Sequence, residues 1–146
     1  MITVRDLLGE RQTRLATVEP DRTVRQAAER MGEAGVGSLL VTDAENHPVG
    51  MITERDILRR VLVPGRDPQH TRVEEVMTQP LRFCDAGTTL SECRRLMLRL
   101  RCRHLVVLQQ GQVAGLITMR DIVNRELQAQ GQTIHYLKEY LYGYYR

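Results

Sequence analysis

In its 146 residues the chain has no tryptophan, one phenylalanine and three cysteines. It also has no apolar run near the roughly 20 residues that a bilayer crossing requires. Cys84, Cys93 and Cys102 form no CxxC pair and stand near no histidine at ligand spacing. This argues against a zinc site, or any other metal site, and against a disulfide framework, and reads as reduced, mostly buried thiols. The opening "MITVRDLLGE" carries charges where a secretory signal needs an apolar stretch, so the expected location is cytoplasmic. A single phenylalanine leaves base stacking without a platform, which weakens a nucleic-acid reading. No Ser/His/Asp order or paired carboxylates suggest catalysis, and His47 and His70 fall in expected loops, so the chain is not expected to be an enzyme.

What is present is charge and repetition. The net charge is +3 with a pI near 9.0, arginine-heavy and densest in "RRLMLRLRCRH" at 94–104. Such a balance favours anions without choosing among them. "VGMITERDI" at 49–57 returns as "AGLITMRDI" at 114–122. Upstream, "DRTVRQAAERM" (21–31) faces "GTTLSECRRLM" (87–97), and "VGSLLVTD" (36–43) faces "CRHLVVLQ" (102–109). Val24, Ala27, Ala28 and Met31, like Leu90, Cys93 and Met97, keep the spacing of a helix with one buried face. Thr23 with Gln26, and Thr89 with Glu92, provide capping boxes. Two short apolar runs around a polar turn then predict a hairpin, followed by a helix at 54–62 or 119–129. With a leading strand at 15–18 or 81–84, each unit is βαββα.

The predicted fold class is α+β. A unit of this size cannot cover both faces of a three-stranded sheet, so two βαββα repeats are expected to pack sheet to sheet about a pseudo-twofold axis. The expected divisions are a first repeat at 1–62, a linker at 63–72, a second repeat at 73–128 and a C-terminal helical tail at 129–146. The lead-in segments "VRDLL" (4–8) and "VEEVM" (73–77) also repeat. Helical faces including Leu58, Val61, Ile122 and Val123 are expected to lack intramolecular cover, which predicts a homodimer.

The turns Thr53–Asp56 and Thr118–Asp121 admit two readings. As [ST]-x-x-[DE] they are helix starts that need no ligand. Yet aspartate is shorter than the Gln and Glu of the other boxes and is expected to reach back less well. Gly50 and Gly115 inside strands mark close approach of a ligand or another backbone. The strand-to-helix junction favours an anion. Asp can accept both hydroxyls of a ribose, with Thr bonding a sugar or phosphate oxygen beside it.

The repeat, the order of elements and the doubled Gly-x-x-Thr-x-Arg-Asp stretch resemble a tandem pair of CBS domains, the Bateman module, over residues 1–128. The resemblance implies a non-catalytic regulatory module, usually a homodimer, that binds AMP, ADP, ATP, NAD or S-adenosylmethionine in clefts between the repeats. Carried over by position, one cleft takes Thr53 and Asp56 with Leu81, Arg82, Cys102 and Arg103, and the other takes Thr118 and Asp121 with Leu15, Ala16, Val36 and Gly37. Arg82, Arg103 and His104 stand where the first repeat has Ala16, Gly37 and Ser38. The cleft of Asp56 is therefore expected to hold phosphate, AMP foremost, more tightly. Arg55 and Arg120 are further candidate phosphate partners. With no effector domain attached, the regulated target is expected to be a protein acting in trans. The rival readings are a dimerising scaffold with vestigial clefts and, behind it, a nucleic-acid binder. The tail "TIHYLKEYLYG" (133–143) resembles the ending of short stand-alone CBS-pair proteins, and its tyrosine face is expected to pack against protein.

Overall fold

Thr23 and Thr89 begin helices as the sequence predicts. Thr23 N–H donates to Gln26 Oε1 at 3.0 Å while Gln26 N–H donates to Thr23 Oγ1 at 3.1 Å. Thr89 and Glu92 repeat the exchange at 3.1 and 3.2 Å. The computed structural model describes residues 1–9 and 15–129. Its elements are α1 (Val4–Gly9), β1 (Thr17–Val18), α2 (Val24–Ala34), β2 (Ser38–Thr42), β3 (Pro48–Thr53), α3 (Glu54–Ile57), α4 (Val73–Val76), β4 (Phe83–Asp85), α5 (Leu90–Leu100), β5 (His104–Gln109), β6 (Gln112–Thr118) and α6 (Met119–Ala129). The tail beyond Ala129 lies outside the described residues.

The fold is α+β, two βαββα repeats that each form a three-stranded mixed sheet. β1 runs parallel to β2 and β2 antiparallel to β3; β4, β5 and β6 repeat the pattern. Even the irregularity is shared, with a register shift at Val41/Thr42 and another at Val107/Leu108. α2 buries Val24, Ala27 and Met31 under its sheet, and α5 buries Leu90, Cys93 and Met97. Ala28, expected on the buried face, is exposed. Each large side chain buried this way contributes about 1.5 to 3 kcal/mol. Both helices end on a left-handed residue, Gly35 at φ 66° and Arg101 at φ 55°.

In space the chain divides into Thr13–Leu81 and, separately, Met1–Gln12 with Arg82–Arg146. The lead-in helices explain why these units differ from consecutive stretches of sequence. α1 joins the second repeat, where Val4 N–H donates to Thr88 O and Leu90 N–H to Ile2 O. α4 joins the first repeat, where Val73 N–H donates to Arg22 O and Val24 N–H to Thr71 O. The stretch 63–72, read as a linker, is bonded to the first repeat: Arg66 N–H reaches Val61 O, and Thr71 is buried with its hydroxyl on Asp67 O. The two lead-in helices are also capped alike, Asp6 accepting Thr3 N–H at 2.9 Å and Glu75 accepting Arg72 N–H at 2.6 Å.

Two expectations about the later helices need correction. The helix at 54–62 is α-helical only to Ile57 and continues as a π-helical turn, Leu58–Leu62, in which Val63 N–H reaches back to Leu58 O. The face thought to lack cover is half covered: Val61 and Ile122 are fully buried within their own repeats, whereas Leu58 and Val123 are 53% and 36% exposed. Ile122 and Val123 are consecutive and so about 100° apart around α6, and the wider π-helical turn sets Val61 off from Leu58, so only one of each pair faces out.

Candidate functional site

Each repeated stretch ends its strand on a threonine in extended conformation and turns at once into a helix. In the first repeat Thr53 N–H donates to Asp56 Oδ2 at 3.0 Å, and Asp56 N–H to Thr53 Oγ1 at 3.1 Å. In the second, Thr118 N–H donates to Asp121 Oδ2 at 2.7 Å, and Asp121 N–H to Thr118 Oγ1 at 3.1 Å. The aspartates therefore reach back as well as Gln26 and Glu92 do. The expectation of a poor cap was wrong, because the extended threonine brings its own N–H within reach of the shorter side chain. Each box is closed by one carboxylate oxygen, Oδ2.

The other oxygen of Asp56 is held too. Thr78 donates its hydroxyl to Asp56 Oδ1 at 2.9 Å, and Arg60 Nε stands 3.9 Å from the same oxygen. Arg60 also donates to the carbonyls of Val76 and Met77, both at 3.0 Å. Asp56 is only 7% exposed as a result. Neither Thr78 nor Arg60 was anticipated. Arg60 could have been found as the i+4 partner of Asp56 on one helix face. Thr78 carries no sequence signal, since its matched position after the other lead-in helix is Gly9.

The strand glycines have found occupants. A Cβ on Gly50 would lie 2.5 Å from Met77 Sδ and 3.2 Å from Thr78 O, and one on Gly115 would lie 3.0 Å from Leu8 Cδ2. Close approach is thus by the segment following α4 and by α1, each within one compact unit.

The remaining candidates fall as follows. Gly37 O accepts Glu54 N–H at 3.0 Å and Arg103 O accepts Met119 N–H at 2.9 Å, so each pre-strand residue adjoins the turn of its own repeat. Ser38 pairs with Thr53 across one sheet and His104 with Thr118 across the other. Arg82 O accepts Val106 N–H and Ala16 O accepts Leu40 N–H, placing both at strand entry. Arg55, Arg82, Arg103 and Arg120 are exposed, whereas Leu15, Val36, Leu81 and Cys102 are half-buried. Burial raises the Cys102 thiol above its ordinary range. Cys84 is raised further, by its hydrogen bond with the buried Cys93 and by its own burial. Within the arginine block, Arg94 pairs with Glu126 on α6.

One cluster was not anticipated. Asp43, Glu45 and His47, in the first hairpin, bring possible ligand atoms within 4.8 Å of one another. Asp43 Oδ1 already accepts the N–H groups of Glu45 and His47, so this grouping closes the turn. No helix among the described residues is long and apolar enough to cross a membrane.

The family profile described as "CBS domain" matches residues 4–63 and again 73–127. The CBS domain-containing protein YhcV of Bacillus subtilis is 32% identical over 127 residues, covering 87% of each chain. An uncharacterized protein of Methanopyrus kandleri is 32% identical over 111 residues, 75% of this chain but only 57% of that protein's length. Among solved structures, a protein with CBS domains from Burkholderia ambifaria MC40-6 superposes with a TM-score of 0.82 at 37% identity, covering 88% of this chain and 96% of that one.

Proposed function

Because the chain belongs to the CBS domain family and carries the domain twice in tandem, we propose that it is a regulatory module whose Thr-x-x-Asp turns bind adenosine-containing nucleotides. In this reading Thr53 and Asp56 hold one ribose and Thr118 and Asp121 the other, and the occupied module signals to a protein partner in trans. AMP is the first candidate ligand, with ADP, ATP, NAD and S-adenosylmethionine behind it. The half-sites completing each turn are proposed as the family resemblance assigns them: Leu81, Arg82, Cys102, Arg103 and His104 for Asp56, and Leu15, Ala16, Val36 and Gly37 for Asp121. Assembly as a homodimer is part of the same proposal, with the exposed Leu58, Leu62, Val63 and Val123 as apolar surface for it.

The observation carrying this reading is that the two turns close their caps alike, each aspartate accepting its threonine N–H through Oδ2. A carboxylate has further acceptor capacity on both oxygens, enough for a diol to donate to it. Regulatory rather than catalytic work fits the family, in which stand-alone pairs are typically non-catalytic.

Thermal unfolding against AMP, ADP, ATP, NAD, NADH and S-adenosylmethionine tests the proposal. A ligand at one hundred times its Kd stabilises by about 2.7 kcal/mol, so at least one should raise Tm by several degrees. The second reading, a dimerising scaffold with vestigial sites, draws on Asp56, whose two oxygens both have protein partners. A flat response to all six ligands would select it.

A further inference from the structure

We infer that helix α5 of one molecule docks on helix α2 of a second copy, so that the second repeat of each chain meets the first repeat of its partner. The inference rests on the homodimer of the proposed function, names the helices that meet in it, and is independent of the nucleotide reading.

α2 and α5 hold the same place in the two repeats and bury the same face, with Val24, Ala27 and Met31 in one and Leu90, Cys93 and Met97 in the other. Their outward faces are opposites. Where α2 has Glu29 and Glu33, α5 has Arg95 and Arg99, and where α2 has Gly32, α5 has Leu98. All six residues are exposed. Charges four residues apart lie about 6 Å apart along a helix, so the glutamates and the arginines share one spacing. Leu98 is 65% exposed, a large apolar side chain between two guanidinium groups. A Cβ on Gly32 would meet no atom within 4 Å among the described residues, which leaves open space between the two carboxylates. Glycine weakens a helix interior, and nothing else in the first repeat uses the room it leaves here. A notch between acids and an apolar knob between bases are complementary surfaces.

Charge also selects among the pairings open to two copies. α5 against the partner's α5 would set arginines against arginines, and α2 against α2 would set glutamates against glutamates, both unfavourable across an interface. Only α2 with α5 brings opposite signs together. Arg25 stands 3.1 Å from Glu29, but an exposed pair of this kind adds little and leaves the carboxylate able to accept from a second cation. The basic face also adjoins apolar surface: Arg94 ties α5 to Glu126 of α6, and the exposed Val123 lies one turn before Glu126. Two copies that make the contact twice, about a twofold axis, form a closed dimer.

Sedimentation equilibrium of the full chain tests the contact. Glu33→Arg and Arg99→Glu exchange residues of similar helix propensity at exposed positions, so the fold is kept, and circular dichroism checks this. Each change alone sets like charges opposite one another and should raise the dimer Kd at least about tenfold. The chain carrying both changes should dimerise as the unmodified chain does. An equimolar mixture of the two single variants should form a heterodimer, since each offers the sign that the other lacks. A dimer that neither single change weakens would overturn the α2–α5 contact and leave the homodimer standing on another surface. Single variants that are weakened but not restored by combination would overturn it too. An unmodified chain that stays monomeric would fail the homodimer itself, and this contact with it.

Discussion

Gly50→Ala should destabilise the first repeat where Gly115→Ala barely affects the second, although the two glycines hold the same place in the repeated stretch. Ordinary contacts of a Cβ lie at 3.4–4 Å, whereas one added to Gly50 would meet Met77 Sδ at 2.5 Å, Met77 Cγ at 3.0 Å and Thr78 O at 3.2 Å. The methionine can swing aside, but the carbonyl cannot, because it accepts Met51 N–H while Thr78 N–H donates back to Met51 O. Overpacking of this kind costs about 1 to 3 kcal/mol. The reduced freedom of the unfolded chain returns about 0.4 to 1 kcal/mol. The net loss is at most about 2.6 kcal/mol and centres on about 1.3 kcal/mol, or roughly 3 to 5 °C in Tm for a chain of this size. At Gly115 the nearest atoms are the Leu8 methyls, at 3.0 and 3.4 Å, which can rotate away, so the change there should stay within about 0.5 kcal/mol. Urea unfolding followed by far-ultraviolet circular dichroism measures both. Adding Met77→Ala to Gly50→Ala should recover about 0.5 to 1.5 kcal/mol relative to the sum of the single changes. Equal losses at the two glycines, or strict additivity with Met77→Ala, would refute the steric argument.

Asp56→Ala and Asp121→Ala should each remove one nucleotide site by calorimetric stoichiometry while costing about 0.5 to 2 kcal/mol of stability, the worth of a helix cap; unchanged stoichiometry in the double variant would reduce both turns to caps. Arg101→Gly should stabilise the second repeat by about 0.5 to 1 kcal/mol, since Arg101 holds the left-handed conformation that Gly35 adopts freely at the matched helix end; a lowered Tm would show the arginine side chain outweighing its backbone strain. Backbone N–H groups hold the carboxyls of Asp6 and Glu75 below their usual 3.8 and 4.5. Their contribution to stability is therefore complete above about pH 4.5 and lost as pH falls through the lowered values. Urea midpoints should be level from pH 7 to 5 and decline in more acidic solution, with Asp6→Asn removing part of the decline.

The element order was legible because the sequence says everything twice. A helix pattern that is ambiguous once becomes firm when Val24, Ala27 and Met31 find their equivalents in Leu90, Cys93 and Met97. The capping boxes were legible because their chemistry is local, three residues wide. What escaped was non-local. The destinations of α1 and α4 depend on contacts across dozens of residues, and no pattern in "VRDLL" or "VEEVM" says which sheet each will cover. The same gap left the occupants of the motif glycines open: they were read as close approach of a ligand or another backbone, and Gly50 is approached by the Thr78 carbonyl with the Met77 side chain, Gly115 by the Leu8 side chain. Thr78 itself could not be found by comparing repeats, because it is a place where the repeats differ. The π-helical turn after Ile57 likewise has no signature in a sequence that fits an ordinary helix throughout.

The lead-in helices bear on what half of this chain could be. α1 precedes the first repeat in sequence but completes the second, and α4 precedes the second but completes the first. A lone copy of the repeat, translated with its own leading helix, would hold a helix suited to a neighbour and lack the one that covers its motif glycine. It could complete itself only by trading helices with a second molecule. Duplication inside one gene turns that trade between chains into an exchange within a chain, and after it neither half can be cut away at the middle of the sequence without taking part of the other.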